Sequence, residues 1–205
     1  MENKDNIQFC NGDAKDFITY VKESIGLIRL DVKFKKLDER AEIPTYAHDG
    51  DVGMDIKAID VEYNAELDLY IYHTGLAFET EKHYGIFMFP RSSNRNTDAY
   101  LTNSVGVIDS FLYRGEILFC FKNRDSLQTR ASNAFVKSFI EGKTYIESKD
   151  AYNDVLSNPM RYKPYEVNDK IGQMVALAHP NVNLCEWTEL SSTVRGENGF
   201  GSSGR

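Results

Sequence analysis

Cysteine is scarce in this chain, with three among 205 residues: Cys10, Cys120 and Cys185. The odd count, the wide spacing and the lack of a C-x-x-C pair argue against a disulfide framework and against a zinc site. Basic charge is also in short supply. The formal net charge is -7, whereas a general nucleic-acid binder carries a basic patch. No apolar run approaches the roughly 20 residues that a membrane helix needs. Met1 to Cys10 is polar and acidic, unlike a secretion signal. The histidines (His48, His73, His83 and His179) form no i, i+4 ligand pair. Neither a Gly-x-Ser-x-Gly elbow nor a Walker loop is present. These absences predict a soluble cytoplasmic protein with no membrane segment and no general affinity for nucleic acid.

What is present suits one decorated domain. Hydrophobic residues make up 41% of the chain and aromatics 12%, enough for a packed core. Ala14, Phe17, Ile18, Val21 and Ile25 recur at helical spacing, which predicts a helix over 13–25 within an N-terminal extension 1–27. The period then becomes two. Ile28, Leu30, Val32 and Phe34 alternate with charged residues, as in a half-buried strand. Strand-like runs follow at 67–72, 76–78, 86–89, 116–121 and 171–178, punctuated by Gly, Asn, Asp and Pro. Ile117, Phe119 and Phe121 share one face of their run. Many short strands with polar turns predict an all-β sandwich or barrel over 28–205. Residues 124–166 interrupt it. Ala134, Phe135, Phe139 and Ile140 fit a short helix, and a second helix is expected between Ser148 and Pro159.

Five short motifs carry residue types suited to a phosphorylated ligand. The C-terminal run from Arg195 to Gly204 offers glycine-freed backbone N–H groups, the hydroxyls of Ser202 and Ser203, the Arg195 guanidinium and the Phe200 ring. Such a run makes an anion nest with a stacking lid, or a flexible end. Pro90-Arg91-Ser92-Ser93 places a guanidinium beside hydroxyls at a strand end, as a phosphate clamp or an ordinary polar turn requires. Asn103 to Asp109 is followed by Tyr113-Arg114-Gly115-Glu116. Here a carboxylate suited to deprotonating water precedes a ring suited to packing on a sugar, and a plain hairpin turn also accommodates both. Val52 to Ala58 and Asp169 to Val175 read as strands. They carry Asp55 and Gln173, the latter expected on the face of Ile171 and Val175.

Taken together, in order and spacing, the five motifs resemble the homotrimeric dUTPase family from about Ile28 to Gly204, apart from the 124–166 insertion. The resemblance implies a jelly-roll β-barrel, a threefold trimer and active sites shared among subunits, with the C-terminal lid 195–205 of one chain closing over another's site. It implies that Asp109 activates the water that attacks the α-phosphorus of dUTP. Tyr113 would lie under the deoxyribose and leave no room for a 2′-hydroxyl. Asn103 and the backbone near Gly106 match the uracil-reading hairpin. Arg91, Ser92, Ser93 and Gln173 match phosphate contacts. Arg195, Gly201, Ser202 and Ser203 match the γ-phosphate clamp, and Phe200 the lid over uracil. Asp55 matches a carboxylate near the water shell of Mg²⁺, which the family holds chiefly through triphosphate and waters.

The chain departs from the family pattern in places. Ser110, Phe111 and Leu112 separate Asp109 from Tyr113, one residue more than usual. Counting back from Arg114-Gly115 selects Tyr113 for the sugar and requires a bulge or wider turn. Asn94 stands where an apolar residue is common. The N-terminal extension and the insertion lie outside the family core, and the insertion is a candidate surface for a protein partner. Two other functions compete. A dCTP deaminase of the same fold needs a glutamate five positions beyond the hairpin glycine, where this chain has Cys120. A dUTP-sensing regulatory protein would bind a partner through the insertion.

Overall fold

The computed structural model describes residues 30–194. The expected helix over 13–25, Ile28, Cys10 and the whole motif from Arg195 to Gly204, with Phe200, Gly201, Ser202 and Ser203, lie outside the described residues.

Ten strands are described: β1 (Lys33–Lys36), β2 (Met54–Lys57), β3 (Asp60–Asn64), β4 (Leu69–His73), β5 (Leu76–Glu79), β6 (Tyr84–Pro90), β7 (Ala99–Leu101), β8 (Gly106–Ile108), β9 (Leu118–Asn123) and β10 (Lys170–Ala178). They pair antiparallel in two four-stranded sheets, β2-β10-β6-β8 and β3-β4-β9-β7, with β1-β5 as a third, two-stranded sheet. The all-β expectation holds, in a jelly-roll-like arrangement. No helix among the described residues is long and apolar enough to cross a membrane.

The core lies between the sheets. Ile117, Phe119 and Phe121 are all buried, as their shared face predicts, and pack with Tyr70, Tyr72, Ile56, Ile86, Met88, Ile171 and Met174. Full burial of each such side chain contributes about 1.5–3 kcal/mol relative to leaving it in water. The two buried tyrosines keep their hydroxyls satisfied. Tyr70 donates to the carbonyl of Pro159 at 2.7 Å and Tyr72 to that of Tyr165 at 2.9 Å. These bonds tie the chain back to the barrel after its helical excursion.

That excursion consists of α1 (Leu127–Ile140) and α2 (Tyr145–Ser157), packed on each other, then a 3-10 turn at Pro159–Tyr162. Both helices begin earlier than the apolar spacing predicts. Ser126 caps α1 by accepting from the Thr129 amide. Thr144 and Glu147 form a reciprocal capping box at α2, so that helix starts before Ser148 rather than after it. Asp68 anchors the hairpin by accepting from the Leu127 amide at 2.9 Å, and Arg130 lies over the Tyr162 ring.

Two further expectations change. β7 and β8 do not pair with each other: β7 joins β9 in one sheet and β8 joins β6 in the other, so Thr102–Val105 forms a corner between sheets rather than a hairpin tip. In β10 a register shift between Lys170 and Gly172 breaks the alternation. Ile171 and Met174 are both buried, and Gln173 no longer shares the face of Ile171.

Candidate active site

The structure gathers the expected site residues into two groups. The first lies where β2, β10 and the end of β6 meet. Gln173 sits opposite Asp55 across the β10–β2 ladder, so both side chains leave the same face. Arg91 follows the last residue of β6 and precedes a 3-10 turn over Ser92–Asn96. Its Nε donates to Asp55 Oδ1 at 2.8 Å and its Nη2 to Oδ2 at 3.4 Å. Gln173 Nε2 donates to Oδ1 at 3.3 Å, and Lys170 Nζ lies 2.8 Å from Oδ2.

The Asp55 side chain is 9% exposed. Burial pushes its carboxyl upward, but the Lys170 bond and the Arg91 charge outweigh that and hold it below the usual carboxylate range. Arg91 spends the Nε–Nη2 edge of its guanidinium on Asp55, and Ser92 and Ser93 follow it at the start of the turn. Asn94 is explained by its partners. It donates to the Ala99 carbonyl and accepts from the Tyr165 hydroxyl at 2.8 Å, which fixes the turn after Arg91.

The second group lies past the end of β8. The carbonyl of Asp109 accepts from both the Leu112 and Tyr113 amides, at 2.8 and 2.7 Å. The extra residue is thereby taken up in a tight turn. The Asp109 carboxylate is exposed and borders two cavities, of about 380 and 280 Å³. Tyr113 shares the smaller one with it, while Leu112 lines the larger. The Tyr113 hydroxyl donates to the Glu116 carbonyl at 3.0 Å, and its ring lies over Gly115, where any Cβ would overlap it. Gly106 opens β8 and packs closely on Met88, with Asn103 exposed in the corner before it.

One chain does not bring the two groups together. Ile86 pairs with Ile108, so Asp109 stands level with Gly85. Arg91, just past the end of β6, is six positions beyond Gly85, about 20 Å away at the rise of a strand.

A sequence model of the dUTPase family matches residues 39–131. The deoxyuridine 5′-triphosphate nucleotidohydrolase of Alkaliphilus metalliredigens is 30% identical over 175 residues, covering 84% of this chain and 96% of that protein. The chain belongs to the dUTPase family. Among solved structures, the dUTPase of Staphylococcus bacteriophage 80alpha, a point mutant with dUpNHpp, overlays with a TM-score of 0.59 at 19% identity, covering 85% of this chain and 99% of that one. A phage phi11 dUTPase mutant, in which coordination of a structural Mg(II) ion is described, has a TM-score of 0.52 at 17% identity over 79% of this chain and 99% of that one.

The matched family segment takes in Asp55, Arg91, Asp109 and Tyr113. Lys170 is a member of the first group that the motif reading passes over. Its place just before Ile-Gly-Gln was the available signal, since a cation there can reach an Asp on the neighbouring strand. The pairings of Arg114 with Glu79 and of Ser110 with Thr80 were equally invisible, because they cross between segments distant in the chain.

Proposed function

We propose that this dUTPase-family chain hydrolyses dUTP to dUMP and pyrophosphate, with Asp109 as general base. The observation that carries the reading is the exposed Asp109 carboxylate sharing one cavity with the Tyr113 ring. Asp109 takes a proton from water, the water oxygen bonds to the α-phosphorus, and the bond from that phosphorus to the bridging oxygen breaks, releasing pyrophosphate. Tyr113 supports the deoxyribose and crowds a 2′-hydroxyl. The corner at Asn103 and the Gly106 backbone receive uracil through hydrogen bonds. Arg91, Ser92, Ser93 and Gln173 hold phosphates, and the segment with Arg195, Phe200, Gly201, Ser202 and Ser203 closes over them.

The roughly 20 Å between Asp109 and Arg91 exceeds what one α-phosphate can bridge, which supports sites shared between copies in a homotrimer. The arm after β10 supports the same reading. From Leu177 to Val194 every residue is exposed, including Leu184, Trp187 and Leu190. Apolar side chains left in water along an extended arm suit docking on a neighbouring subunit.

Among the described residues, no three His, Cys, Asp or Glu side chains converge as a metal cage. Asp55 already accepts from three cationic or amide donors, so its place is beside a metal's water rather than on the metal. This donor set fits Mg²⁺ carried by triphosphate and water. When bound, Mg²⁺ supplies neutralisation of phosphate charge.

Steady-state turnover of dUTP, dTTP, dCTP and UTP with Mg²⁺ tests the reading. Strong preference for dUTP with pyrophosphate release is expected. Asp109→Asn should lower kcat by about 1000-fold or more while dUpNHpp still binds; an active variant overturns the base assignment. Ammonia release from dCTP would instead select deamination, although Cys120 supplies no carboxylate and its thiol is pushed up by burial.

A second reading concerns the helical hairpin. Val136, Phe139, Ile140, Tyr145 and Ile146 are all more than half exposed around its tip. We infer that this tip is a protein-docking surface set apart from catalysis.

A further inference from the structure

We propose that Arg114 is a positioning residue that sets the choice between deoxyribonucleotide and ribonucleotide. This inference rests on the proposed dUTP hydrolysis and on the role of Tyr113 in it. The loop 109–113 carries both the base and the sugar platform, yet it is exposed apart from Ser110 and one residue longer than the family pattern. Something must hold it against its own conformational entropy.

Arg114 does so from the position that follows the loop. Its Nη1 donates to the carbonyls of Ser110 at 3.0 Å and Tyr113 at 2.9 Å, and its Nη2 to that of Phe111 at 3.1 Å. The carbonyl of Asp109 is already taken by two amides of the same loop. Four of the five carbonyls from Asp109 to Tyr113 are therefore bonded, three of them to one planar guanidinium. A lysine has no rigid fork to reproduce that fan.

The fork is itself fixed to the barrel. Arg114 Nη2 lies 3.0 Å from Glu79 Oε2 at the end of β5, and Glu79 also accepts from Lys33 of β1 at 2.7 Å. Those neighbouring cations, Lys33 first, hold the Glu79 carboxyl below its usual range. On the loop's other side the buried Ser110 hydroxyl meets that of Thr80 at 2.5 Å, and the Thr80 amide donates to the Ser110 carbonyl at 3.3 Å. Glu79 at the end of β5 and Thr80 just after it thus grip the loop, one through Arg114 and the other through Ser110. The Tyr113 ring is pinned at its far end by Glu116 and lies against Gly115. Rejection of a 2′-hydroxyl by a ring is steric, and steric selection fails once the ring can yield.

The test is the ratio of kcat/KM for dUTP to that for UTP in the full chain with Mg²⁺. Loss of folded protein lowers both values together and leaves the ratio unchanged, whereas a loosened platform lowers the ratio. Arg114→Ala should reduce it by about tenfold or more, with Arg114→Lys intermediate. A ratio within about twofold of wild type in a folded Arg114→Ala protein overturns the proposal. If that variant does not fold, Glu79→Gln takes its place, because it leaves the three carbonyl bonds and removes the anchoring charge. The ratio should again fall, and an unchanged ratio overturns the proposal. A wild-type protein that does not prefer dUTP over UTP refutes the proposed function itself. A selective wild type with unaltered variants refutes the positioning role alone.

Discussion

Asp55 shows how a residue can stand out in a motif while its surroundings stay hidden. Its carboxylate is nearly buried and is bonded by Arg91, Lys170 and Gln173. The lowered pKa has a definite consequence for stability. Such a group stabilises the fold above its ordinary pKa, about 3.9, and the contribution is lost as pH falls through the lower folded value. Asp55→Asn should therefore destabilise the protein by about 2 kcal/mol at pH 7. The gap to wild type should close below about pH 4. Denaturant midpoints measured between pH 7 and pH 3 check this, and a gap independent of pH would show that the charge is immaterial. Gly172 makes a second point at the same scale. A Cβ there would overlap the Phe119 ring, so the glycine of Ile-Gly-Gln is explained by core packing before any ligand is invoked.

At the scale of elements, alternation located the strands but not their ends. The expected run from Leu67 begins at Leu69, because Asp68 adopts a positive φ of 50°. The bulge in β10 could not be read from a period of two, since pattern counting assumes an unbroken ladder. Helix starts were legible in principle: Thr144-x-x-Glu147 is a capping signature, and attention to apolar spacing alone placed that start too late. The helical hairpin makes its own prediction. It is anchored at its base by Asp68, which accepts from the Leu127 amide and lies 3.9 Å from the Arg130 guanidinium. Replacing 126–158 by a short linker should leave kcat for dUTP within about threefold while abolishing any partner binding through the tip. Collapse of turnover in a folded deletion would show that the hairpin builds the site.

At the scale of the whole molecule, the separation of Asp109 from Arg91 makes a claim about assembly that one chain can test in mixtures. Asp109→Asn and Arg91→Ala should each be nearly inactive alone. If each site takes its base from one subunit and its phosphate clamp from another, random co-assembly yields a site with both intact about one time in four. Co-refolded equal mixtures should then regain about a quarter of wild-type activity. Recovery no greater than the sum of the separate variants would mean that each chain completes its own site.

The sequence by itself determined the family, the β class, the buried face of β9 and the identity of the motif residues. These depend on residue type and short spacing, which the chain displays directly. Tertiary structure decided the rest. It placed Lys170 on Asp55, turned Gln173 to the Asp55 face through a bulge, and split β7 from β8 between two sheets. It also clasped the 109–113 loop with Arg114 and Thr80, and set the Asp109 and Arg91 groups at opposite ends of β6. Each of these depends on which distant elements pair and in what register, a balance of burial and backbone hydrogen bonding that no local pattern encodes.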